Sequence, residues 1–136
     1  ETILEREVKF DFGENITFHG DFAIHLDTHF KKLIGNKEIK RGSHNFELYF
    51  EENNMDQVMK TLKSHQIELV HEMMEQPWRQ RVIRFYDPDL HIIEVGESLE
   101  FLSYRLFKEG LSNSEITSII GLSEEFVSES IAIFNI

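Results

Sequence analysis

Between residues 45 and 95 the hydrophobic pattern changes from strand-like alternation to a helical stripe and back, and no other feature limits the fold as much. Apolar residues alternate through 45–50. Asn53 or Asn54 then offers a helix cap, and Met55, Val58, Met59 and Leu62 recur at i, i+3, i+4 and i+7, which is one helix face. Residues 67–70, 82–86 and 91–95 read as strands, with Asp87-Pro88-Asp89 as the turn between the last two. The order is strand, helix, then three strands. Residues 8–26 give three further strands in succession, with turn signals at Gly13-Glu14-Asn15 and His19-Gly20-Asp21. Phe22-Ala23-Ile24-His25-Leu26 and His91-Ile92-Ile93-Glu94-Val95 are alike in carrying one polar residue inside an apolar strand. The arrangement is therefore that of a repeat whose first copy lacks its opening strand and most of its helix, with Thr2-Ile3-Leu4 as that helix's tail. Residues 27–43 are polar and glycine-punctuated and read as a linker, with one helical turn at Phe30, Leu33 and Ile34.

With 136 residues, 40% of them hydrophobic, the chain can build one core. The 25 acidic residues outnumber the 14 basic ones, and the formal charge of -11 opposes nucleic acid and anionic membrane surfaces as partners. There is no cysteine, so any metal must be held by His, Asp or Glu. No run approaches the roughly 18 apolar residues of a membrane span, and no basic-then-apolar leader is present, so the expected location is cytoplasmic. The start at Glu1 raises the expectation that upstream residues belong to the native protein.

Three polar residues sit inside otherwise apolar strands: His25, Glu47 and Glu94. Alternation groups Glu47 with Tyr49, and leaves Phe46, Leu48, Phe50, Ile93 and Val95 to pack under helices. Burying an unpartnered carboxylate is costly, so each Glu needs a cation or a wet cavity. One His and two carboxylates suit a divalent ion with open positions. The opposing reading is a solvated sheet face with Arg79, Arg81 and Arg84 as ion-pair partners. The remaining histidines fall in turns, in the linker or at element ends; His71 is placed after a strand, in a surface loop, with a cavity mouth shared with Met73 and Met74 as the alternative, and His91 points away from Glu94.

The runs Phe46-Glu47-Leu48-Tyr49-Phe50, Glu75-Gln76-Pro77-Trp78-Arg79-Gln80-Arg81 and above all Phe85-Tyr86-Asp87-Pro88-Asp89-Leu90-His91-Ile92-Ile93-Glu94-Val95 resemble the second half of a glyoxalase, bleomycin-resistance or ring-cleaving dioxygenase protein of the vicinal oxygen chelate superfamily. The resemblance covers roughly residues 1–97 and implies an α+β fold: paired βαβββ modules, the first incomplete, forming a curled mixed sheet around a cavity. It places metal ligands at His25, Glu47 and Glu94, with a fourth on the absent opening strand. It departs from the glyoxalase pattern in having His where Glu is usual and Glu where His is usual. What it implies is a small-molecule protein using a divalent metal (Zn, Ni, Mn or Fe) as a lyase, isomerase or dioxygenase on vicinal oxygens, with Glu94 or Glu47 moving a proton. The alternative is a metal-free drug- or metabolite-binding protein whose cavity is walled by Tyr49, Trp78, Phe85 and Phe18. For Trp78 and Phe85 ordinary packing is an equal reading. A homodimer is expected in either case.

Residues 98–136 read as a helical extension to the 1–97 domain: helices at 98–109, 112–120 and from Ser123, with a Ser112/Glu115 capping box and Gly121 as a C-terminal stop. The tract 109–123 looks like a helix-turn-helix. Seven Glu against Arg105 and Lys108 within 97–136 argue against DNA, so packing or self-association is the expected role.

Overall fold

The computed structural model describes residues 6–20 and 22–135, in two compact units, 1–41 and 42–136. In the N-terminal unit, β1 (Val8–Asp11), β2 (Asn15–Phe18) and β3 (Phe22–His25) form an antiparallel sheet in the order β1-β2-β3. Gly13, at φ 75°, takes the left-handed turn, and its N–H donates to Asp11 Oδ1 at 2.8 Å. Phe18 and Phe22 face each other across the second hairpin with rings stacked at 4.8 Å. The segment read as a linker with one helical turn at Phe30, Leu33 and Ile34 contains a two-turn helix, α1 (Asp27–Leu33). Asp27 in its first turn and Lys31 and Lys32 in its last complement the helix dipole, which suits a helix this short. The tail of the expected upstream helix, Thr2-Ile3-Leu4, lies outside the described residues.

The second unit carries β4 (Glu47–Glu51), α2 (Met55–Ser64), β5 (Leu69–Glu75), β6 (Arg81–Tyr86) and β7 (Ile92–Gly96). Their sheet runs β4-β7-β6-β5, with β4 parallel to β7 and the other pairs antiparallel. Asn54 caps α2 by accepting from the Gln57 N–H at 3.1 Å. Met55 and Leu62 are buried, and α2 packs on β6. By alternation Ile83, Phe85, Ile93 and Val95 share one face of the sheet, and all four are buried.

These seven strands correct the expected architecture. They form two separate sheets of three and four strands, not one curled mixed sheet around a cavity. No backbone ladder joins β1–β3 to β4–β7 among the described residues, and neither set has enough strands to close on itself.

After the sheet come α3 (Leu99–Lys108), α4 (Asn113–Ile120) and α5 (Glu124–Phe134). Leu102, Leu106, Ile116, Val127 and Ile131 make their common core. The Ser112/Glu115 capping box is present, and Gly121 ends α4 in the left-handed conformation at φ 73°. Phe134 of α5 packs on α3, its ring 5.4 Å from Phe101 and 5.7 Å from Tyr104. Just before α3, Glu97 is fully buried and bonded to Arg105. Among the described residues no helix is long and apolar enough to cross a membrane.

Candidate functional site

The register of the four-stranded sheet aligns four polar side chains in one row across its face. Tyr49 on β4 pairs with Glu94 on β7, Glu94 with Arg84 on β6, and Arg84 with His71 on β5. Glu47, two residues before Tyr49, lies on the same face. Arg84 is the centre. Its Nε donates to Glu47 Oε2 at 2.8 Å, its Nη2 reaches Glu47 Oε1 at 3.5 Å and also pairs with Glu94 Oε2, and its Nη1 lies 3.3 Å from His71 Nε2.

The two carboxylates respond in opposite directions. The hydrogen bond from Arg84 holds Glu47 below the ordinary glutamate range. Burial pushes Glu94 up, Arg84 opposing and the neighbouring charge of Glu47 adding to the rise. A raised folded-state pKa means that charging Glu94 costs stability, so its contribution is full below the unfolded pKa and is lost as pH rises through the folded value. Glu94→Gln is therefore expected to gain stability relative to the parent chain as pH is raised from 4 to 7. Chemical denaturation at a series of pH values reads this, and a constant difference would contradict it.

Beside this row stands an aromatic edge. Gln80, buried to 6% exposure, donates from Nε2 to the Tyr49 hydroxyl at 3.1 Å and to the Glu97 carbonyl at 2.7 Å, while its Oε1 accepts from Trp78 Nε1 at 2.9 Å. Both rings are nevertheless exposed, Tyr49 by 45% and Trp78 by 42%. Gly96 lets the Tyr49 ring lie close: a Cβ there would sit 3.1 Å from Tyr49 Cε2 and 3.2 Å from Val82 Cγ1. Burial and the charge of Glu51 push the Tyr49 hydroxyl up to about 12, so it is a neutral donor at physiological pH.

The sequence-predicted residues fall in both units. Glu47, Glu94, Tyr49 and Trp78 belong to this face and its edge. Phe85 is buried, on the opposite side of β6 from Arg84. Phe18 and His25 belong to the N-terminal unit; Phe18 is buried against Phe22, and His25 stacks on His29 at 5.4 Å. The Nδ1 of His25 is buried with no hydrogen-bond partner among the described residues. Of the three arginines that sequence offered as counter-ions, Arg84 takes both carboxylates, whereas Arg79 serves Glu75 and Glu109, and Arg81 lies 3.9 Å from Glu97. Sequence reading missed Gln80 and preferred a surface loop for His71, which lies inside β5. The signal for His71 was the alternation of Leu69, His71 and Met73, which continues the strand past Val70.

Among the described residues no group of three or more His, Asp or Glu side chains could hold a metal ion. The donor chemistry explains this for the second unit. Glu47 and Glu94 already share a guanidinium, and a divalent cation between them would have to displace it against like-charge repulsion. As arranged, the pair does not fit a divalent metal.

The sequence profile of the glyoxalase-like domain family matches residues 1–100. The chain belongs to that family. It is thereby a member of the glyoxalase, bleomycin-resistance and dioxygenase superfamily, whose members often hold divalent metals. This glyoxalase-like chain is 40% identical to a protein of unknown function from Agrobacterium tumefaciens, over 71% of this chain and 77% of that one, with a TM-score of 0.63. It shares its fold with a glyoxalase-related enzyme from Fulvimarina pelagi at 17% identity, 71% and 73% coverage and a TM-score of 0.60. A superfamily member from Sphaerobacter thermophilus is similar at 21% identity, 71% and 80% coverage and a TM-score of 0.55. No curated protein matches the chain.

Proposed function

We propose that this glyoxalase-like chain binds a small molecule on the polar face of β4, β7 and β6 without a divalent metal, in the manner of a drug- or metabolite-binding protein. The observation that carries this reading is Arg84 hydrogen-bonded to Glu47 and ion-paired with Glu94, which puts a fixed protein cation where a metal would otherwise neutralise the pair. Tyr49 and Trp78 supply exposed apolar surface at the edge of the face, and the Tyr49 hydroxyl and Arg84 supply polar contacts. Titration of chelator-treated protein with Zn, Ni, Mn or Fe(II) is expected to show no stoichiometric uptake.

A second reading, a metal-dependent lyase, isomerase or dioxygenase with Glu94 or Glu47 as proton carrier, is favoured by membership in a superfamily whose members often hold divalent metals. Near-stoichiometric metal that disappears in Glu94→Gln would establish it and overturn the first. Under either reading the helices of 98–136 extend a 1–97 domain and the protein forms a homodimer, which sedimentation velocity tests.

A further inference from the structure

The imidazole of His71 has a contact on each nitrogen, and the two contacts ask opposite roles of them. Nδ1 lies 2.7 Å from the carbonyl oxygen of Glu72, an acceptor that can be met only by an N–H. Nε2 lies 3.3 Å from Arg84 Nη1, which is a donor under all conditions and can be met only by a lone pair. A ring that donates from Nδ1 and accepts at Nε2 is the neutral Nδ1–H tautomer. A second proton, on Nε2, would turn the second contact into N–H against N–H and place two cations together.

The donor count of Arg84 then has a consequence. Of five N–H groups, Nε and one Nη2–H donate to Glu47, Nη2 also pairs in charge with Glu94, and one Nη1–H serves His71, which leaves the second Nη1–H without a partner among the described residues. The groups facing this guanidinium are Glu47 and Tyr49 on β4, Glu94 on β7 and His71 on β5. Two carboxylates against one cation make the surroundings unfavourable for an anionic ligand.

We infer that His71 is a positioning residue which, as the neutral Nδ1–H tautomer, holds the Arg84 guanidinium across Glu47 and Glu94 with one N–H left for an uncharged hydrogen-bond acceptor, such as a ligand carbonyl. The ligand class rests on the binding reading above; the tautomer and the positioning do not. Nitrogen-15 NMR of the full chain at pH 7.5, without ligand, tests the positioning: the His71 ring should show a protonated Nδ1 and a bare Nε2. An Nε2–H tautomer or a charged ring at that pH would overturn it. In the same spectra, His71→Leu should speed exchange of the Arg84 Nε–H about tenfold, the scale of losing one charge-assisted hydrogen bond, while His71→Gln, which keeps an acceptor, should restore it. Equal exchange in all three proteins, or failure of Gln to rescue, would also overturn it. The ligand class is read separately by NMR titration with acetamide and acetate: shifts at Arg84 with acetamide alone support it, and a preference for acetate sinks it while leaving the His71 result intact.

Discussion

Arg105→Ala is expected to destabilise the second unit by about 3–5 kcal/mol, because it strands a fully buried carboxylate. Glu97 has no exposure to solvent, and Arg105 donates to both of its oxygens, from Nε at 2.9 Å and from Nη2 at 3.1 Å. The backbone N–H of Arg81 gives Glu97 a third bond, at 3.0 Å. The same guanidinium reaches the Arg79 carbonyl at 2.6 Å and Glu109 at 2.7 Å, while Arg79 bonds Glu109 at 2.8 Å and Glu75 at 3.1 Å. The network ties α3 to the start of β6 and the end of β5, so truncation removes the partner of a buried charge and loosens a helix at once. Urea denaturation measures the loss. Replacing Glu97 and Arg105 together by leucine is expected to recover most of it, since a buried pair costs desolvation that apolar residues do not. A loss below about 1 kcal/mol in the single variant would show that water reaches Glu97.

Arg84→Met is expected to cost about 2–3 kcal/mol at pH 7, the scale of hydrogen bonds to charged groups, and to cost little in acid. In the parent chain the lowered pKa of Glu47 stabilises the fold above the unfolded value, and that stabilisation is lost as pH falls through the folded value. Without the guanidinium, Glu47 and Glu94 face each other as like charges, so both bind protons more tightly and the deficit shrinks as pH drops through about 4.3, the ordinary glutamate range. The experiment is a pair of denaturation series across pH. A deficit independent of pH would mean that Arg84 matters through packing of its aliphatic stem.

Much of the second unit was legible because its pattern is locally consistent. The stripe of Met55, Val58, Met59 and Leu62 has one solution, and Asn54 caps it. The Asp87-Pro88-Asp89 turn and the capping box at Ser112 likewise specify their own geometry. Of helix α1 only one turn, at Phe30, Leu33 and Ile34, was legible, since its seven residues carry no apolar stripe long enough to stand out and no side-chain cap. The curled sheet failed for a different reason: closure depends on how strands from distant segments pair, and neither alternation nor turn chemistry encodes that. At the site, Glu47 and Glu94 were visible as polar residues inside apolar strands, and Arg84 as a candidate partner. His71 escaped although Leu69, His71 and Met73 alternate, because polar Glu72 and Glu75 beside Met73 and Met74 read as the end of a strand and the start of a loop.

Trp78 is the only tryptophan in the chain, and its indole N–H is bonded through Gln80 to the Tyr49 hydroxyl. The protein therefore carries an optical probe wired to the edge of its own candidate site. A molecule that stacks on either ring, or displaces Tyr49 from Gln80, changes the polarity and hydrogen bonding of one indole against no other tryptophan background. Compound collections can be screened by intrinsic emission on the unlabelled chain, with Gln80→Leu, in which that wiring is cut, as the reference.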